Sequence, residues 1–128
     1  GDLDTTALGE LPANVRTVGW VPLERLLRNC DGAVIHGGGT LLTAIESGTP
    51  QLLASDPRDM FQFSGHDAVR EFGFGLVSTA DQVTPELLTT LIEDDRLKAN
   101  TLRMREEMLS LPSPAQIAQR IVDEVLEA

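Results

Sequence analysis

His36-Gly37-Gly38-Gly39-Thr40 is the stretch of this sequence whose residue types and spacing best suit chemistry. Before it runs Ala33-Val34-Ile35, read as a short buried strand, and after it Thr40 to Ser47 has the look of a helix. Leu41, Leu42, Ala44 and Ile45 supply its apolar positions, Gly48 stands where a helix stop belongs, and Pro50 follows. A strand, a glycine turn and a helix together make a shape suited to an anion. Glycines let the backbone come close, and the N–H groups of the first helical turn point out along the positive end of its dipole. On this reading the amides of Gly38 to Leu41 converge on one phosphate, and His36 adds a donor, or a charge when protonated. A plainer reading is a tight turn between a core strand and a core helix, with His36 bonded only to backbone.

Two other stretches fall at the ends of predicted strands, and in a parallel sheet such ends share one rim. Gly19-Trp20-Val21-Pro22 holds the only Trp of the chain, an indole able to stack on a planar base. Its plainer role is core packing between a strand and a helix. Asp59-Met60-Phe61-Gln62 lies in a loop, where Asp59 is able to accept hydrogen bonds from sugar hydroxyls or merely to form a turn.

The elements that must position these residues are those of an α/β protein. Val15 to Val21 alternates like a strand, and Pro22 opens a helix to about Asn29 whose stripe is Leu23, Leu26 and Leu27. Strands follow at Gly32 to Ile35, Gln51 to Ala54 and Gly75 to Ser78, with the Thr40 to Ser47 helix between the first two. Ser64-Gly65-His66-Asp67 has capping-box spacing and opens a helix that Gly73 ends. Thr84-Pro85-Glu86 starts another, Asp95 a third running to about Met108, and Ser113-Pro114 the last, with Ile117, Ile121 and Val125 repeating every fourth residue. Alternating strands and helices predict an open parallel sheet with helices on both faces. Four strands are few for such a sheet, so one or two more are expected upstream of Gly1 in a longer protein.

Composition narrows the function. The 128 residues are 41% hydrophobic and 23% charged, enough for one folded domain with a real core. Ten Lys plus Arg stand against 20 Asp plus Glu, a formal net charge of -10. That argues against nucleic-acid or anionic-membrane binding by bulk electrostatics, so a phosphate site must be made locally. The single Cys30 excludes an internal disulfide and fits a reducing cytoplasm. No apolar run is long enough to span a membrane.

In order and spacing, Gly19-Trp20-Val21-Pro22-Leu23, Leu26-Leu27, Cys30-Asp31, His36-Gly37-Gly38-Gly39-Thr40, Leu42-Thr43-Ala44, Gly48-Thr49-Pro50-Gln51-Leu52 and Asp59 resemble a known family. They are similar to the donor-binding half of B-type (GT-B) glycosyltransferases. The likeness is strongest to actinomycete enzymes that put deoxysugars on antibiotics, the calicheamicin glycosyltransferases among them. It runs from about Leu11 to the C-terminus, and Glu106-Glu107-Met108 through Leu111-Pro112-Ser113-Pro114-Ala115 matches that group's tail more loosely.

The resemblance implies a Rossmann-like half of a GT-B fold, with Trp20 and Val21 holding the nucleobase. It assigns the diphosphate to His36, Gly37, Gly38, Gly39 and Thr40, and the donor sugar to Asp59, Met60 and Gln62. It implies no cofactor or metal. The catalytic base and the acceptor pocket for a natural-product aglycone are expected in an N-terminal domain outside this chain, so the chain alone should transfer nothing.

Departures refine this. Ile35 stands where the family has a first His, and the glycine loop is one residue shorter. Met60 replaces a Gln beside the sugar-gripping Asp, which suits a deoxygenated or methylated sugar. Thr43 stands where related plant and animal enzymes place a Glu on the ribose, which favours a dTDP-sugar over a UDP-sugar. Rival readings are a nicotinamide oxidoreductase, a nucleotide-sugar 2-epimerase, and a binding module without activity. The first would need G-x-G-x-x-G, but position 42 is Leu42.

Overall fold

The computed structural model describes residues 5–56 and 65–127. After a 3-10 turn at Thr6–Leu8, the elements run α1 (Leu23–Leu27), β1 (Ala33–Ile35), α2 (Gly39–Ser47), β2 (Gln51–Ser55), α3 (His66–Phe72), β3 (Gly75–Thr79), α4 (Pro85–Glu93), α5 (Asp95–Ser110) and α6 (Pro114–Glu127). The three strands form one parallel sheet in the order β1-β2-β3. Register sets Val34 beside Leu52 and Leu52 beside Leu76. Because side chains alternate along a strand, Ile35, Leu53 and Val77 point to the opposite face.

Each face carries its own core. On one, Leu53 packs with Ile45 of α2, Val69 of α3 and Phe74, joined by Ile35, Val77 and by Met104 and Met108 of α5. On the other, Leu52 packs with Leu91 of α4 and Leu97 of α5, joined by Leu76, Val83 and Leu87. Helices therefore cover both faces, as the alternation of elements predicts. α5 belongs to both cores and passes the strands at their N-terminal edge. There Thr101 Oγ1 donates to the Phe74 carbonyl at 2.9 Å, and Asn100 Nδ2 donates to that of Gly73 at 3.1 Å.

Local chemistry sets the helix ends. Gly48 and Gly73 cap α2 and α3 in the left-handed conformation, at φ 71° and 63°, as their positions in the sequence suggest. Thr84 Oγ1 accepts from the Leu87 N–H ahead of α4, and Asp94 Oδ1 accepts from the amides of Arg96 and Leu97 ahead of α5. α6 opens with a reciprocal capping box, the Ser113 N–H donating to Gln116 Oε1 and the Gln116 N–H to Ser113 Oγ. Its apolar positions Ile117, Ile121 and Val125 remain exposed. No helix among the described residues is long and apolar enough to cross a membrane.

One expected element does not form. Residues 15–21 run as coil, with Val15, Val18, Trp20 and Val21 all exposed. The alternation there is strand-like, but a strand also needs a neighbour, and no described strand lies beside this segment to supply a ladder. The expected capping box at Ser64 lies outside the described residues. α3 begins at His66 with Gly65 as its N-cap.

His66 brings a pH dependence. It is 3% exposed, and burial, aided by the nearby Arg70 charge, lowers its pKa from the ordinary 6.5, while Asp67 opposes the change. The folded chain then binds fewer protons than the unfolded chain at mildly acidic pH, so stability rises with pH. This contribution is fully present above 6.5 and is lost as pH falls from there towards the lowered value. Melting temperatures at pH 7.5 and 5.5 should differ more for the wild type than for His66→Gln. Equal differences would contradict the assignment.

Candidate functional site

The carboxyl ends of the parallel strands form a rim where His36 follows β1, Asp56 follows β2 and Thr79 ends β3. The glycine turn sits on this rim between β1 and α2. Gly37 is buried with φ 115°, and Gly38 is the exposed N-cap of α2 at φ 65°, ψ -147°. That backbone region is essentially closed to residues with a Cβ, so the turn depends on glycine. A Cβ on Gly38 or Gly39 would meet nothing within 4 Å, so the space beside both is open.

The donors are fewer than the sequence suggests. The Leu41 N–H donates to the Gly38 carbonyl at 3.1 Å, which tightens the first turn and removes Leu41 from the expected set. The amides of Gly38, Gly39 and Thr40 carry no hydrogen bond to a described residue. They belong to the unpaired N–H groups at the start of a helix. His36 is exposed beside them on the coil between β1 and α2. Three amides and an imidazole stand at the positive end of a nine-residue helix, an arrangement chemically suited to an anion within an acidic chain.

The other predicted residues divide. Thr43 lies one turn into α2 on the same end of the helix, where its hydroxyl donates to the Gly39 carbonyl at 3.2 Å. That leaves its oxygen lone pairs to accept from a ligand hydroxyl. Trp20 and Val21 lie on the coil leading into α1, which packs against α2. Trp20 is 93% exposed, which rules out its plainer role in the core and leaves its ring faces open for stacking. Asp59, Met60 and Gln62 lie outside the described residues.

Two further residues lie on the rim. Ser55 and Thr79 are register partners at the ends of β2 and β3; Ser55 is buried, and Thr79 Oγ1 is buried without a hydrogen-bond partner among the described residues. The signal for them is weak, a small hydroxyl residue closing an apolar strand.

An open parallel sheet with helices on both faces, whose first crossover starts with a glycine turn at a helix N-terminus, defines an α/β domain of the Rossmann-like kind. The model of the family described as Erythromycin biosynthesis protein CIII-like, C-terminal domain, matches residues 2–124, and the chain belongs to that family. It is 38% identical over 117 residues to the 3-alpha-mycarosylerythronolide B desosaminyl transferase of Saccharopolyspora erythraea, covering 86% of this chain and 27% of that protein. Among solved structures it resembles the glycosyltransferase SnogD from Streptomyces nogalater, with a TM-score of 0.84 and 40% identity, over 94% of this chain and 32% of that one. It also resembles glycosyltransferase VinC in complex with dTDP, with a TM-score of 0.82 and 32% identity, over 97% of this chain and 32% of that one. The chain thus spans about a third or less of the length of these relatives.

Proposed function

We propose that this chain is the donor-binding domain of an inverting glycosyltransferase that moves a deoxysugar from a dTDP-sugar to a natural-product acceptor. The observation that carries the reading is the glycine turn at the start of α2, where three unpaired amides and His36 meet on the rim of the sheet. The resemblance to a glycosyltransferase in complex with dTDP supports it. Residues 1–128 act as one domain of a two-domain enzyme, and the second domain, outside this chain, supplies the acceptor pocket.

His36 and the amides of Gly38, Gly39 and Thr40 hold the diphosphate, as the charge that builds on the leaving group demands. This grip works without a metal ion. Trp20 stacks on the base, with Val21 beside it, and Thr43 faces the deoxyribose. Asp59, Met60 and Gln62 take the sugar. The acceptor oxygen attacks the anomeric carbon from the face opposite the diphosphate, giving its proton to a base on the other domain as the bond from that carbon to the diphosphate breaks. The enzyme works in the cytoplasm, consistent with a single unpaired cysteine.

A calorimetric panel of dTDP, UDP, GDP and NAD against the folded chain tests this. dTDP should bind most tightly. A preference for UDP would remove the inference from Thr43, and tight NAD binding without dTDP binding would replace the reading with the nicotinamide one.

A further inference from the structure

We propose that Arg105 is a positioning residue for the phosphate turn, acting from the far end of α2. Its Nε donates to the Glu46 carbonyl at 2.7 Å, in the last turn of α2. The carbonyls of that turn carry the negative end of the helix dipole, so a guanidinium there is both a hydrogen-bond donor and a charge of the right sign. The contact joins residues 59 positions apart in sequence. Gly48, the left-handed cap of α2, makes room for it: a Cβ there would lie 3.2 Å from Leu102 Cδ2 and 3.3 Å from Arg105 Cδ.

The first half of α5 is held by elements other than α2. Asp94 caps its start, Leu97 sits in the core on the α4 side, and Thr101 is bonded to the Phe74 carbonyl below β3. Met104 and Met108 then press on the core that holds Ile45 of α2. α5 is thus an anchored brace, and Arg105 is the polar point at which it grips α2. A nine-residue helix is about 13 Å long and moves as a rod, so its C-terminal anchor sets where its N-terminal amides point. At the other end nothing lies within 4 Å of where a Cβ on Gly38 or Gly39 would stand, so no described side chain packs against the turn on that side.

The proposal rests on the functional reading above, and its test separates the two. Arg105→Ala, Arg105→Lys and His36→Ala are titrated with dTDP and with thymidine, and their melting temperatures are recorded. Arg105→Ala should weaken dTDP binding about fivefold, within the range for residues that act on a site without touching the ligand. Thymidine affinity should stay unchanged, since the loss lies at the phosphates. Arg105→Lys, which keeps the charge and a donor, should recover most of the affinity. A lowered melting temperature with unchanged dTDP affinity in both Arg105 variants would overturn the proposal, as would equal losses for dTDP and thymidine. If His36→Ala weakens dTDP binding and Arg105→Ala does not, only the brace falls. If the wild type binds no dTDP, the functional reading falls and takes the brace with it.

Discussion

A Gly38→Val variant should lose about 3 kcal/mol or more of dTDP affinity, roughly a hundredfold, while remaining folded. At φ 65° and ψ -147° the Gly38 backbone occupies a region that side chains essentially exclude, and a β-branched residue fits it worst. Valine therefore forces the turn into another conformation. The strain does not come from crowding, because a Cβ at Gly38 meets nothing within 4 Å. What is lost is the direction of the first amides of α2, together with the open space a phosphate would fill. Calorimetric titration of the folded variant checks this. Affinity within threefold of the wild type would show that the turn does not hold the phosphate.

Phe74→Ala should lower unfolding stability by about 3–5 kcal/mol, the usual cost of emptying a large aromatic site in a core. Phe74 is 2% exposed and packs with Ile45, Leu53 and Val69 where α3 hands over to β3. Domains of this size are stable by only about 5–15 kcal/mol, so much of the fold's margin should go. Phe74 lies at the edge of the sheet opposite the rim, so molecules that stay folded should bind dTDP normally. Urea denaturation measures the first quantity and titration the second. A loss below 1 kcal/mol would contradict the packing described for this face.

The sequence reveals most where local chemistry decides. Gly48 and Gly73 read as helix stops because a left-handed cap suits glycine, and both have that conformation. Thr84-Pro85-Glu86 reads as a helix start because the cap, the proline and the acid each act within one turn. The apolar runs Ala33–Ile35 and Gln51–Ser55 are legible as strands, since each is a short run bounded by turn residues. The Val15 to Val21 segment shows the limit. Its alternation is that of a strand, yet pairing is a property of two segments, and one segment cannot reveal whether the other is present. Arg105 shows the same limit for the site, because nothing near it in sequence points to Glu46. Sequence alone places Leu41 among the phosphate donors because a helix start leaves several amides unpaired, and the 3-10 bond to Gly38 takes that one. Trp20 was legible by type and position, but only the structure distinguishes an exposed indole from a packed one.

On the proposed reading, the turn from His36 to Thr40 holds a diphosphate. The most direct test measures dTDP affinity and melting temperature on the same His36→Ala protein. His36 is exposed on coil, so the melting temperature should barely move. The affinity should fall by about 1.5–3 kcal/mol as a hydrogen bond between imidazole and phosphate is lost. A lowered melting temperature with dTDP affinity unchanged would make His36 a structural residue and contradict the claim.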